Sequence, residues 1–388
     1  MKSYAESESA KKVKMKKFIQ ILILLGFTIQ GYSQEYNRWF IKKSNGNLGF
    51  IDSFGNEIFS DKFDFLSEHY YSGLVLFKKQ STFGYLDIYG NVVFTTDYFY
   101  GIFSNDLLLI ENDNIFYYLD TLGQKAIDLT ELEVPNGKKI QRACNFYDER
   151  ALVVIGDNCS DNWSYGFIDK TGKWFLEPTF QYATSFAERV ACVFKDDKNY
   201  FIDTQGNYIA QLDKKNGEIW NSGDDNLFDF SEGFAVVYFR DSVGFSTSFI
   251  NKKGERISSL MFRRAHKFSD GMASVQINNE WGFIDTTGNI VIRPQYNVRS
   301  DFSEGLAPVY VSVEEAGYMF GSYSLQGFID KTGATAISFQ PHVSYGGFRN
   351  GLTKGRRFIH ENKKYTGKYE FFYMNKNGEK IWSEIVKQ

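Results

Sequence analysis

A four-residue phrase, Asp-x-x-Gly or Asn-x-x-Gly, is written nine times along this chain and constrains its fold more than any other feature. The glycines are Gly55, Gly90, Gly123, Gly172, Gly206, Gly254, Gly288, Gly333 and Gly378. Three residues before them stand Asp52, Asp87, Asp120, Asp169, Asp203, Asn251, Asp285, Asp330 and Asn375. Successive glycines lie 35, 33, 49, 34, 48, 34, 45 and 45 residues apart, a base period of 34 with insertions in four gaps. An Asp or Asn that opens a turn accepts a backbone N–H two residues on, and glycine then supplies the left-handed conformation. The phrase therefore predicts nine tight hairpin turns, read as three-residue loops with a bulge. Turn geometry, rather than catalysis or calcium, accounts for Asp52 with Gly55, Asp87 with Gly90, Asp169 with Gly172, Asp285 with Gly288 and Asp330 with Gly333.

Short strands flank each turn. LGFID (48–52), FGYLD (83–87), YGFID (165–169), WGFID (281–285) and QGFID (326–330) lead in, and runs such as NIVIRPQY (289–296) lead out. Alternation places Phe50, Tyr85, Phe167, Phe283 and Phe328 on one face and aliphatic residues on the other. Both faces read as buried. The glycine between aromatic positions permits close approach of a neighbouring backbone or ring. About fourteen residues after the turn glycine a second phrase opens on Phe, as in FAER (186–189), FSDG (268–271) and FSEG (302–305), followed by a third strand such as LAPVYV (306–311). A short helical turn before this phrase is allowed, for example at 295–301. Helical periodicity with caps is otherwise absent from the mature chain.

A unit of three strands in 34 residues cannot bury a core alone, so neighbours must stack. The expected fold is all-β: a tandem repeat array of about nine three-stranded antiparallel units, elongated and solenoid-like. The alternative is a closed β-propeller, which has four strands per blade and about 40–45 residues per repeat. RWFIKKSNGNLGF (38–50) reads as a hairpin turning at Ser44-Asn45-Gly46, suited to cap the N-terminal end.

W-G-F-I-D-x-x-G-x-x-V-I-x-P-x-Y, followed by F-S-E-G-L-A-x-V, closely resembles the consensus of bacterial WG repeats. Gly282–Val309 matches almost throughout, and Tyr165–Val193 matches well with Pro178 in place. Several units replace the Trp, with Phe83, Tyr165 and Gln326 in its position. The resemblance covers about residues 38–382. It implies an all-β repeat array usually regarded as non-catalytic, and it carries no catalytic residues to transfer. A shorter likeness links FYYLDTLGQ (116–124) to the aromatic repeats of cell-wall-binding proteins.

The first 33 residues stand apart as an N-terminal extension and signal peptide. Lys11, Lys12, Lys14, Lys16 and Lys17 precede the apolar run FIQILILLGFTIQ, and Gly31 and Ser33 suit a cut before Gln34. The uninterrupted apolar stretch is too short for the roughly 20 residues that span a bilayer, and no later segment could span one. Residues 34–155 read as degenerate repeats and 156–388 as better-preserved repeats with insertions. The chain is expected to be exported, to the periplasm or the extracellular space. Export permits disulfides, and of Cys144, Cys159 and Cys192 the pair Cys144–Cys159 is the more plausible bridge, against three unpaired thiols. A net charge of −3 excludes a general nucleic-acid binder, which needs a strong basic face.

Catalytic and cofactor patterns are missing. His69, His266, His342 and His360 have no metal-ligand spacing, GFSTS (244–248) lacks the second glycine of a nucleophile elbow, and no phosphate loop or dinucleotide fingerprint occurs. No catalytic residue, cofactor or metal is assigned. Function is expected in the insertions, which recur at two connections: 155–164, 312–326 and 353–368 before the aromatic-Gly strand, 128–141 and 209–227 before the Phe phrase. The candidate binding surface is Tyr318, Phe320, Tyr323, Arg356, Arg357, Lys363, Lys364 and Tyr365, aromatic and basic side chains that can stack on sugar rings or pair with acidic groups. The expected function is an exported, non-catalytic protein- or glycan-binding scaffold whose partner is a protein or a cell-surface glycan. The alternative is a secreted or periplasmic hydrolase using carboxylates on the β-array. N-terminal sequencing of the mature protein should begin near Gln34; a cytoplasmic product that retains residues 1–33 would refute export.

Overall fold

The computed structural model describes residues 37–96, 101–157, 163–212, 230–240, 244–314, 322–361 and 364–387. Among them are nine small antiparallel sheets whose strands follow one another in sequence order. The fifth is representative, with strands Tyr182–Ala183, Val190–Lys195, Lys198–Asp203 and Tyr208–Leu212. We call these the opening, Phe-phrase, aromatic-Gly and return strands. Helical structure among the described residues is limited to two 3-10 turns, Leu129–Glu131 and Pro135–Gly137. No helix there is long and apolar enough to cross a membrane.

Two expectations need correction. Five of the nine sheets have four strands, not three. The extra one is the opening strand, which in three sheets has only two residues, Phe65–Leu66, Tyr182–Ala183 and Arg264–Ala265, too few to show a period. The Phe-phrase strand also pairs with the aromatic-Gly strand that follows it, so each sheet begins where the 34-residue phrase was expected to end. The strand count therefore no longer separates an open array from a propeller. Residues 295–301 hold no helical turn: Gln295 and Tyr296 complete the return strand, and Tyr296 pairs with Trp281.

The aromatic-Gly strands are buried on both faces as their alternation requires. Phe50, Phe167 and Phe328 are fully buried, and so are the following Ile51, Ile168 and Ile329. The aromatic faces the next sheet: Phe283 packs with Phe302 and Val309, while Ile284 packs backward with Phe249 and Phe268. The glycine between them makes room for a bulge in the return strand. A Cβ on Gly282 would lie 2.5 Å from the Ile292 carbonyl oxygen and 2.6 Å from the Pro294 nitrogen. Pro294 sits inside its strand at this irregularity, where a missing N–H is tolerated.

The Phe of the second phrase, or Tyr70 in the second sheet, inserts against the aromatic of the preceding sheet. Eight such pairs recur, with centroids 4.8–5.2 Å apart: Phe50–Tyr70, Tyr85–Phe103, Tyr118–Phe146, Phe167–Phe186, Phe201–Phe230, Phe249–Phe268, Phe283–Phe302 and Phe328–Phe348. The buried apolar residues accordingly fall into nine clusters, each shared by two sheets. Eight lie between consecutive sheets. The ninth joins Trp39, Ile41 and Ile51 of the first sheet to Leu352, Tyr369, Phe371 and Val386 of the last. The expected hairpin at 38–50 is present, with Gly46 in the left-handed region at φ +88°, but its apolar face packs on the last sheet rather than closing a free end. The Tyr373 hydroxyl donates to the Phe40 carbonyl at 2.7 Å, and the Ser44 N–H donates to the Glu384 carboxylate at 3.1 Å.

The nine Asp-x-x-Gly turns form as expected. Every glycine N–H donates to the carbonyl of the Asp or Asn three residues earlier, at 2.9–3.1 Å. The Asp285 carboxylate accepts the N–H of Thr287 at 2.9 Å and of Asn289 at 3.0 Å. Burial alone would raise its pKa, but the Thr287 hydroxyl and these N–H groups outweigh it and hold the carboxyl below its usual range. Gly172 and Gly288 have φ of +78° and +83°. Both also lie on the preceding sheet: a Cβ would meet Ile127 at 2.7 Å and Ser258 at 2.6 Å. Gly172→Val and Gly288→Val should each lower stability by about 1–3 kcal/mol, the scale of backbone strain at such positions. Asp285→Asn should be mild, because Asn251 and Asn375 form the same turn. Unchanged thermal melting in both valine variants would contradict the turn's role.

Candidate functional site

Antiparallel strands in sequence order send their connections alternately to opposite ends of a sheet. The Phe phrase and the Asp-x-x-Gly turn share one end, the turn end. The hairpin between the Phe-phrase and aromatic-Gly strands, and the crossing to the next sheet, share the other.

At the turn end, successive Phe phrases are bonded to one another. The Glu188 carboxylate accepts the N–H groups of Glu232 and Gly233 in the next sheet, the latter at 2.8 Å. Glu232 in turn accepts from Asp270 at 2.6 Å and Gly271 at 2.7 Å, Asp270 from Gly305, and Glu304 from Gly351 at 3.0 Å. The serines run a parallel series: Ser231 and Ser269 donate to the Phe268 and Phe302 carbonyls at 2.7 and 2.8 Å, and Ser303 to Phe348. Lysines beside the Asp-x-x-Gly turns complete it, with Lys331 on Asp270 at 2.8 Å and Lys376 on Glu304 at 3.0 Å. These contacts orient neighbouring sheets alike. The series has a link from the ninth sheet to the second, where Arg349 donates to His69 Nδ1 at 2.7 Å and Lys354 pairs with Glu68.

Four of the five expected insertions, 128–141, 155–164, 312–326 and 353–368, fall in connections at the hairpin end. In compact sheets the hairpin turns in two residues with positive φ, such as Asp196-Asp197 and Asn278-Asn279, which gives the short acidic loop KDDK a structural reason. In the eighth and ninth sheets the insertions lengthen the hairpin itself: Leu306–Glu314 pairs with Ser322–Asp330, and Leu352–Glu361 with Lys364–Asn375. Insertion 128–141 holds the two 3-10 turns, and Trp163 beside Gly156 is exposed in the fourth sheet. Most of insertion 209–227 lies outside the described residues.

Of the expected surface, Tyr318, Phe320 and Lys363 also lie outside the described residues, and Tyr323 is placed by its backbone alone, opposite Val313. Arg356 and Arg357 are adjacent in one strand and so project to opposite faces. Arg356 is exposed and lies over the Tyr369 ring at 5.6 Å. Lys364 and Tyr365 begin the partner strand, exposed. Tyr365 packs edge-on to Phe358 at 5.7 Å and lies 5.7 Å from His360, which stacks on His342 at 4.1 Å. Burial, and next the charge of His360, lower the pKa of His342. The sequence reading missed Phe358, His360 and His342. The alternation Arg356, Phe358, His360 was the available signal.

Groups read as chemically silent have structural partners. Thr247 and Ser248 of GFSTS are buried, and their hydroxyls donate to the carbonyls of Phe262 and Leu260 at 3.3 Å. His266 Nδ1 lies 2.8 Å from the Asp301 carboxylate. Cys192 is buried in its strand, and burial pushes its thiol pKa up. Cys159, and with it the proposed pairing to Cys144, lies outside the described residues. Among the described residues no group of three or more His, Cys, Asp or Glu is placed to hold a metal ion.

No curated protein matches the sequence. Among solved structures, a eukaryotic initiation factor aligns over 92% of this chain and 97% of its own at 10% identity and a TM-score of 0.56, a likeness of fold. AztD from Citrobacter koseri aligns over 90% of this chain and 97% of its own at 11% identity, with a TM-score of 0.39. The Dos1 propeller aligns over 72% and 85% at 13% identity, with a TM-score of 0.36. The WG containing repeat family matches at residues 165–198, 248–281 and 281–311, spanning aromatic-Gly strands of the fourth, sixth and seventh sheets. With that match, the bulge-accommodating glycines and the paired phenylalanines, the chain is a WG-repeat-containing protein.

Proposed function

We propose that the nine sheets close into one propeller-like ring, and that the chain is an exported, non-catalytic scaffold binding a protein or glycan through its hairpin end. Nine sheets with nine shared apolar clusters support closure, since an open row of nine has eight interfaces. Gly55 supports it too. It approaches Ile381 of the last sheet much as Gly90 approaches Phe59 and Gly123 approaches Phe94. Small-angle scattering distinguishes the two forms. A compact chain of this length has a radius of gyration of roughly 20 Å. A row of nine sheets stacked about 10 Å apart would give nearly 30 Å, and that value would defeat the ring.

One observation carries the binding role: four of the five insertions emerge at the hairpin end, although the compact units show that the repeat needs none. Insertions gathered on one face of a repeat protein commonly build its binding surface. The ninth-sheet hairpin presents Arg356, Phe358, His360, Lys364 and Tyr365 there, a mixture suited to sugar rings or acidic groups. Glycan arrays and pulldowns should compare the mature chain with a variant whose 312–326 and 353–368 hairpins are trimmed to compact length. The trimmed protein should melt cooperatively and lose its partners. Retention of every partner would place binding elsewhere.

A further inference from the structure

The turn end carries a second feature, remote from the insertions. The third residue of the Asp-x-x-Gly turn is apolar only in the first three sheets: Phe54, Tyr89 and Leu122, exposed by 82%, 65% and 63%. The other six sheets place Thr171, Gln205, Lys253, Thr287, Thr332 and Asn377 there. The turn does not need an apolar side chain. Phe54, Tyr89 and Leu122 donate their backbone N–H groups to the turn aspartate at 2.9, 2.8 and 2.9 Å, and Thr287 does the same at 2.9 Å. The three tips are neighbours, because Gly90 lies on Phe59 of the first sheet and Gly123 on Phe94 of the second. Single exposed apolar residues are ordinary, whereas contiguous ones mark interaction surfaces.

Two properties select the occupant. Stacked sheets are about 10 Å apart, which matches one turn of an extended polyproline II chain, three residues at about 3.1 Å each, with every third side chain on one face. The surroundings are acidic. Asp52, Asp87 and Asp120 lie beneath the tips, with Asp106 and Asp148 on the adjoining phrases. Three cations of this end are already engaged: Arg38 with the Ile88 carbonyl at 3.3 Å, Arg150 over the Phe175 ring at 4.0 Å, and Lys170 with Glu149 at 3.0 Å.

We propose that Phe54, Tyr89 and Leu122 form a docking strip for an extended segment of a partner protein that sets apolar side chains at every third residue between lysines or arginines. Apolar side chains of the segment cover the tips, and its cations meet the carboxylates between them. The same carboxylates repel an anionic lipid surface, and they repel the equivalent end of a second copy.

The test uses fluorescence polarisation with the full chain and two labelled synthetic peptides, Lys-Leu-Lys repeated three times and Glu-Leu-Glu repeated three times. The lysine peptide should bind, and at least about tenfold tighter than the glutamate peptide. The variant Phe54→Thr, Tyr89→Thr, Leu122→Thr should lose at least about tenfold of that affinity with its melting temperature unchanged. Phe54→Thr alone should give a measurable part of the loss and guards against misfolding of the triple variant. Equal binding by wild type and variants, or no preference for the lysine peptide, overturns the proposal. So does sedimentation with phosphatidylglycerol vesicles, or a dimer on size-exclusion chromatography, that the triple variant abolishes.

Discussion

Everything in this fold depends on one ring meeting another across the gap between sheets. The aromatic of the aromatic-Gly strand and the Phe (Tyr70 in the second sheet) of the next sheet's second phrase sit 4.8–5.2 Å apart in eight successive pairs. Each ring buries about 150–250 Å², and the edge or tilted contact adds about 0.5–1.5 kcal/mol beyond the area. No sheet of two to four short strands could hold such a ring away from water by itself. The pair therefore makes each sheet's core the property of two sheets, and the chain folds as a series of interfaces rather than a series of units. The glycine that precedes the buried ring belongs to the same device. By admitting the bulge of the return strand at 2.5–2.8 Å from where a Cβ would stand, Gly166, Gly282 and Gly327 let the return strand close over the aromatic face.

Above this apolar layer runs a polar one with a different logic. The Phe phrase places non-glycine residues in the left-handed region, with Glu188, Glu232 and Glu304 at φ of 48–54°. Such residues are strained, and a turn of this kind points its backbone N–H groups outward without local acceptors. The carboxylate of the preceding sheet supplies them, and a lysine from the next Asp-x-x-Gly turn balances the charge at Asp270 and Glu304. Each link is half exposed and weak alone. Repeated along the series, the links fix the rotation of each sheet relative to its neighbour, which ring packing leaves looser.

What the sequence made legible was what is chemically local. Asp-x-x-Gly could be read because donor, acceptor and left-handed glycine lie within five residues, and all nine turns formed. The burial of Phe283 with Ile284 could be read because strand alternation is local too. The Ser and Glu of F-S-E-G could not, since their partners lie 33–47 residues ahead. Opening strands such as Tyr182–Ala183 are too short to alternate. The contact between Trp39 and the last sheet spans the whole chain, and no window of sequence contains both sides. At the candidate site, composition brought Arg356 and Tyr365 to attention, but treating 353–368 as a loop hid the alternation that sends Arg357 to the other face and gathers Phe358 and His360 beside Tyr365.

The two ends of the sheets are thus under unlike constraints, and this explains how variation is distributed. At the turn end nearly every backbone N–H is committed, either to its own aspartate or to a carboxylate one sheet away. An extra residue there would break bonds in two sheets at once. At the hairpin end a two-residue turn such as Asn278-Asn279 satisfies itself, and lengthening it adds cross-strand bonds without removing any, as the ninth sheet does up to Glu361 and Lys364. Insertions therefore accumulate where they disturb nothing. The turn end can vary only in side chains that project clear of the bonding, and the third position of Asp-x-x-Gly is one of them. A residue type that departs from the polar rule there, as Phe54, Tyr89 and Leu122 do, is not set by the fold, and its reason must lie in what approaches that end from outside.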